Sequence, residues 1–296
     1  MTNPDHPAEP RSAELLATGP TETSEHGGTP PPRTWAARLA AGTIEPRDPT
    51  HRRANLARDE VRVLSILCQR ATATGSGVVV KEIADRAHHH GLRLAQLCAA
   101  QDGEDPRSNF AAVAPVEVHS VRFKHGPPNG LPFPIAGMSN EMPYESTRFR
   151  DLSWAQVDQY LAVWDDHIGR LVTTHDPHII HVHHLWLLAA LVAQRWPAIP
   201  AVVSIHGTDL RRADESPHLQ ALVQPWVHRF RSLITLTADD DGRVRNSYSG
   251  VLPPTKPLGS GFNADLFRPS TRPYGDCEKS RANARINHSM PLAGSY

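Results

Sequence analysis

The chain has 296 residues, with 31 basic and 31 acidic side chains and a formal net charge of zero. That balance argues against the basic stripe of a nucleic-acid binder. No apolar run reaches the ~18 residues needed to span a bilayer. Cys68, Cys98 and Cys277 make no disulfide framework, and the first thirty residues hold no apolar signal core. A cytoplasmic chain with buried thiols is expected, at most peripheral at the inner face of a membrane.

Residues 1–60 hold nine of the 27 prolines and few aliphatics, so they read as a disordered leader with one short helical piece at Trp35–Ala41. Val61–Cys68 is a run of β-branched and aliphatic residues bounded by Gln69-Arg70, the pattern of a buried parallel strand. Thr74-Gly-Ser-Gly77 follows. Val79, Ile83 and Ala87 then repeat at helical spacing up to a C-capping Gly91. Leu92–Ala99 and Val116–Phe123 read as two further strands.

Residues 124–152 form a long Pro/Gly-rich connection, a length more often functional than filler. Ser153 caps a helix to about Thr174, with Val157, Leu161, Trp164, Ile168 and Leu171 on one face. The remainder alternates. Strands are expected at Ile179–His183, Ala201–Ile205 and Leu233–Thr237, and helices at Leu185–Arg195, Ser216–Arg229 and Ala238–Tyr248. Such βα repetition predicts an α/β fold: a Rossmann-like parallel sheet with helices on both faces. The ordered domain is expected over 61–269, followed by an irregular tail over 270–296.

Ligands of open parallel sheets bind beyond the carboxyl ends of the strands. The residues there are Gly75-Ser-Gly77 after the first strand, His183-His184 after the fourth and His206-Gly-Thr-Asp209 after the fifth. Glycines at a helix N-terminus let an anion approach free N–H groups, and imidazoles exchange hydrogen bonds with hydroxyls. The alternative for the last motif is a helix cap, Thr208 or Asp209, with His206 merely packed. His181 and His183 share one strand face at a zinc-ligand spacing, which leaves a metal-dependent hydrolase as a rival, although a third ligand and a carboxylate are missing from the pattern. His88-His-His90 closes a helix, where cations are favourable. Cys68 and Cys98 read as small core residues, and no Gly-x-Ser-x-Gly supports a hydrolase nucleophile.

Together with that glycine turn, Pro177–Trp186, Val202–Leu210, Leu233–Thr237 and Leu258–Pro269 resemble, in order and spacing, the N-terminal, acceptor-side domain of family 4 glycosyltransferases. The resemblance covers about Val61–Pro269. It implies one half of a GT-B architecture: two Rossmann-like domains that transfer a sugar from a nucleotide-sugar to an acceptor hydroxyl, with retention and without a metal or other cofactor. Carried over, Gly75, Ser76 and Gly77 approach the donor phosphates, and His206 is the catalytic residue that contacts the transferring sugar. Tyr144, Thr147, Arg148, His183, His184 and Asp209 fall where acceptor or substrate contacts are expected. Only 27 residues follow Pro269, without the family's Glu-x7-Glu motif. Little turnover by this chain alone is therefore expected, with a second chain supplying the other wall as one possibility. A non-catalytic module that binds a glycan or partner is the other reading.

Overall fold

The computed structural model describes residues 33–47, 57, 60–71, 74–110, 116–126, 129–259 and 261. The chain divides into two compact units, Met1–Pro257 and Leu258–Tyr296. Nearly all of the second unit, and with it the expected tail and most of the Leu258–Pro269 motif, lies outside the described residues.

In chain order the elements of the first unit are α1 (Trp35–Ala41), β1 (Arg62–Leu67), α2 (Gly75–His89), β2 (Arg93–Gln101), β3 (Glu117–Phe123), β4 (Gly130–Leu131), β5 (Ile135–Gly137) and β6 (Ser146–Arg148). There follow α3 (Trp154–His175), β7 (Ile179–His183), α4 (Leu187–Arg195), β8 (Ala201–Ser204), α5 (Thr208–Glu215), α6 (Pro217–Val223), β9 (Ser232–Thr235), α7 (Ala238–Ser247) and β10 (Thr255–Pro257). Eight strands form one sheet, ordered β10-β9-β8-β7-β1-β2-β3-β4, with every pairing parallel. The chain fills the sheet outward from β1 on one side, then crosses over to β7 and fills the other. The switch point therefore lies between β1 and β7, where a crevice opens in such sheets.

Alternation along β1 builds a core on each face. Leu64 and Ile66 join the larger core with α1, α3, α4 and α6, while Leu67 packs with Val80, Ala84 and Ala87 of α2. Each wholly buried Leu or Ile is worth ~1.5–3 kcal/mol. The α3 N-terminus is a capping box: Gln156 N–H donates to Ser153 Oγ, and Ser153 N–H donates back to Gln156 Oε1 at 2.9 Å.

Three expectations are corrected. The helix at Trp35–Ala41 is not an isolated piece of a disordered leader. Ala36, Leu39 and Ile44 are buried in the larger core, Trp226 Nε1 donates to Leu39 O at 3.1 Å, and Arg47 N donates to Arg195 O at 2.7 Å. The fold therefore includes residues 33–47, ahead of the expected start at 61; most of the rest of 1–60 lies outside the described residues. The connection 124–152 is not structureless: β5 and β6 pair as a separate two-stranded sheet and β4 extends the main one. The helix expected over 216–229 divides at Pro225 into α6 and a 3₁₀ turn, Gln224–Arg229; β10 stands where no element was expected, and α5 starts where the helix-cap alternative put a helix, with Gly207 at its N-cap.

Candidate functional site

The turns that follow β1, β7 and β8 meet at the switch point. After β1 the chain reaches Gln69, which is buried and joins three segments. Its Nε2 lies 2.5 Å from Ser76 Oγ in the first turn of α2 and 3.2 Å from His184 Nε2, and its Oε1 accepts from Met138 N at 3.5 Å, just past β5. The paired-glycine turn, the β7 turn and the middle of the long connection thus share one amide. Thr74 Oγ1 caps α2 by accepting from Gly77 N at 3.0 Å, and no acidic residue occupies the first helical turn. The positive end of a 15-residue helix dipole therefore receives no counter-charge from its own first turn.

The two glycines differ. A Cβ on Gly77 would meet the backbone C and O of Ala71 at 2.7 Å, so this glycine allows the chain to turn onto itself. Among the described residues a Cβ on Gly75 would meet nothing within 4 Å. Gly75 is the exposed one, and the open space lies over it.

The imidazoles form a row. His181 Nε2 lies 2.8 Å from Ser204 Oγ, and the His181 and His183 ring centroids lie 4.3 Å apart with the rings tilted by 37°. His183 Nδ1 lies 3.1 Å from His206 Nε2, and the His184 ring is 4.7 Å from that of His206. His181, His183 and His184 are buried, and His206 is half-buried. His184 adopts φ +77°, and Gly207 φ +78°. A histidine held in the left-handed region stores ~1–3 kcal/mol of strain, a cost that concentrates at functional turns.

Burial sets the charge states. It lowers His206 and His181 to about 4, with the charge of His206 adding to the effect on His181, and it holds His183 and His184 well below the usual histidine value. At neutral pH the row carries no charge and works through hydrogen bonds alone.

Asp209 is fully buried and engaged. One oxygen accepts from His206 N at 3.1 Å and the other from Leu185 N at 2.9 Å. Burial pushes its carboxyl up to about 6 against those amides. The expected acceptor contact by Asp209 is corrected on this ground: its carboxylate braces the β7 turn against the β8 turn. His183 and His184, at 1% and 2% exposure, likewise support His206 from beneath.

The other expected residues separate. Tyr144 is half-buried, with the Arg70 guanidinium 5.1 Å over its ring, and Arg70 is paired with Glu104 at 3.0 Å, so Tyr144 lies beside the residue that follows Gln69. Thr147 and Arg148 belong to β6. The Thr147 hydroxyl donates to Pro134 O at 3.1 Å, and Arg148 pairs with Asp151 at 2.5 Å. Among the described residues neither bonds to the imidazole row, and both side chains hold their own loop. Cys68 and Cys98 are buried free thiols; Cys277 lies outside the described residues. Among the described residues no group of three His, Cys, Asp or Glu is arranged to hold a metal ion, and no helix is long and apolar enough to cross a membrane.

Sequence reasoning passed over Gln69 as a mere strand boundary. Its signal was positional: a polar residue directly beyond a buried strand, as His184 and His206 stand beyond theirs. Arg212 was also missed. Its side chain is fully buried, pairs with Glu215 at 2.6 Å and donates to Asn140 Oδ1 at 2.8 Å, pinning the long connection to α5.

The model of a glycosyl transferase 4-like domain matches residues 74–256. No curated protein matches the chain. Among solved structures, sucrose-phosphate synthase from Thermosynechococcus elongatus superposes with a TM-score of 0.51 at 12% identity, over 79% of this chain and 54% of that one. Anabaena HepE, in complex with UDP and glucose, gives 0.46 at 16% identity over 75% and 50%. Phytolacca americana UGT2, complexed with UDP-2-fluoro-glucose and pterostilbene, gives 0.42 at 12% identity over 75% and 57%. The chain spans about half the length of these three proteins, and at such identities the likeness is one of fold.

Proposed function

Given that the chain belongs to the glycosyl transferase 4-like family, with residues 74–256 as the matching domain, we propose that it supplies the acceptor-side wall of a retaining transfer of a sugar from a nucleotide-sugar to a hydroxyl. The observation that carries this reading is the convergence at the switch point: the open face of Gly75, the α2 N-terminus and the half-buried imidazole of His206 border one ledge through Gln69 and His184. A phosphate oxygen approaches free backbone N–H groups at Gly75 and gains from the helix dipole. His206, neutral at pH 7, engages a sugar oxygen by a hydrogen bond and brings no charge to desolvate. Tyr144, beside Arg70, marks the side from which an acceptor enters.

The test is calorimetric titration of the full chain with a panel of nucleotide-sugars and their sugar 1-phosphates, beside a transfer assay. His206→Ala is expected to weaken binding about tenfold, the worth of ~1.4 kcal/mol, with the urea midpoint little changed. A stability loss of ~2–4 kcal/mol, as in core truncations, would show a packed residue and remove His206 from the site. Binding of free glycans with no response to any sugar phosphate would favour a non-catalytic module.

A further inference from the structure

We infer that His183 is a positioning residue that fixes the tautomer of His206, so that His206 presents an N–H donor, at Nδ1, to the ledge. The inference rests on the ledge reading for its functional meaning but on its own geometry for its truth.

One proton lies between His183 Nδ1 and His206 Nε2, 3.1 Å apart. Both rings are neutral, so each carries one N–H, and the shared contact couples the two choices. In the first arrangement His206 Nε2–H donates to His183 Nδ1. His183 then keeps its hydrogen on Nε2, and His206 offers a bare lone pair at Nδ1. In the second, His183 Nδ1–H donates to His206 Nε2. His183 Nε2 is then the bare atom, and the hydrogen of His206 sits on Nδ1.

The far side of His183 decides between them. Its Nε2 is buried and, among the described residues, has no hydrogen-bond partner. The first arrangement would bury an orphaned N–H there, and the second a lone pair. Orphaned buried donors are in general the rarer and costlier case, which favours the second arrangement, the one assigned here. The His181 ring, tilted against it at 4.3 Å, covers His183 on one side, and the fold gives His183 no other role toward the ledge, since it is only 1% exposed. Among the described residues no hydrogen bond reaches His206 Nδ1, and the His206 backbone is fixed separately by Asp209 at 3.1 Å.

The consequence concerns ligand chemistry. His206 gives a hydrogen bond to an oxygen lone pair, of a sugar hydroxyl or a phosphate, and cannot accept the proton of an attacking hydroxyl through that nitrogen. It is a binding donor and not the base of the reaction.

The experiment is a long-range ¹H–¹⁵N correlation of imidazole nitrogens in the full chain labelled with ¹⁵N-histidine, at pH 7.5 and without ligand, with His206→Gln used to assign the signals. In the unaltered chain His206 is expected to show a protonated Nδ1 and a bare Nε2. His183→Phe keeps a ring but removes the partner, and His206 is expected to turn to the Nε2–H form that a free imidazole prefers. His183→Asn places an amide N–H where Nδ1 stood and is expected to restore the Nδ1–H form. An unaltered chain with protonated Nε2 on His206 overturns the inference, as does a His183→Phe chain whose His206 keeps its tautomer. Should His183→Phe fail to fold, the unaltered chain and His183→Asn still decide. Because no sugar is present, these outcomes are separate from any failure of sugar phosphates to bind.

Discussion

At the carboxyl ends of β7 and β8 the histidines are buried or, for His206, half-buried, and are uncharged and matched with one another; at the amino ends of β1, β3 and β7 they stand beside carboxylates and arginines. There, His119 Nε2 lies 2.6 Å from Glu117 Oε1, His175 Nδ1 lies 3.6 Å from Glu117 Oε2, and Arg62 N donates to His178 Nδ1 at 3.0 Å while the Arg62 guanidinium pairs with Asp176. The amino-end groups pair with charged neighbours, and among the described residues one atom of theirs, His175 Nε2, is buried without a partner. The carboxyl-end groups leave atoms over, among them His183 Nε2, His184 Nδ1 and Arg212 Nε. Desolvated polar groups with spare hydrogen-bonding capacity are costly to keep wherever they lie; what sets the carboxyl ends apart is that theirs sit beside the exposed Gly75 and the half-buried His206.

The largest way to break this comparison is acid. Burial holds His181 and His206 at about 4, against the ordinary 6.5. The unfolded chain therefore binds more protons than the native one between those values, and stability is lost as pH falls through that window. Asp209 acts oppositely: burial raises its carboxyl to about 6 from 3.8, so its contribution is fully present below 3.8 and is lost as pH rises through 6. From pH 7.5 to pH 5, His181 and His206 together remove roughly 4 kcal/mol and Asp209 returns about 1 kcal/mol. His183 and His184 add in the destabilising direction. Urea unfolding at the two pH values is expected to show a net loss of about 3 kcal/mol or more. An unchanged midpoint would mean that the row is hydrated and the contrast between the ends is false.

The paired glycines sharpen the comparison within the working end itself. Gly77→Ala drives a methyl group to 2.7 Å from the Ala71 backbone, which cannot give way as a flexible side chain would. A loss of about 2 kcal/mol is expected, within the range for overpacking. Gly75→Ala meets open space and is expected to leave the urea midpoint within ~0.5 kcal/mol. Equal effects would show that the space over Gly75 is not a ligand face at all.

How much of this was legible follows from which interactions are local. β7 and α3 could be read within a residue or two, because apolar spacing and Ser153 carry their own signals, while α2 was read from Val78 and begins three residues earlier, at Gly75. His206 and the glycine turn were found because parallel sheets place ligands beyond strand ends. α1 was legible as a helix but not as core: Ala36, Leu39 and Ile44 gain their burial from α3, α4 and α6, which lie more than a hundred residues away in the chain. Gln69 and Arg212 escaped for the same reason, since a polar residue becomes a bridge only when Ser76, His184 and Met138, or Asn140 and Glu215, arrive from elsewhere. Asp209 was read as ligand-facing because a motif names a residue without saying which way its oxygens turn; the amides of His206 and Leu185 claim both.

The smallest expected effect comes from the other end. His119 is partly exposed, and its carboxylate partner, Glu117, is half-exposed. Water screens such a pair, and ordering two side chains offsets much of what attraction remains. His119→Ala removes one partner but leaves Glu117 hydrated and still facing His175 at 3.6 Å, so no buried charge is stranded. The urea midpoint at pH 7.5 is expected to move by less than ~0.5 kcal/mol, with no change in the imidazole signals of His206 at the far end of the sheet. A loss as large as that of Gly77→Ala would show that the amino-end carboxylate pairs are as tightly built as the carboxyl-end row, and that the difference between the two ends lies in ligand access alone.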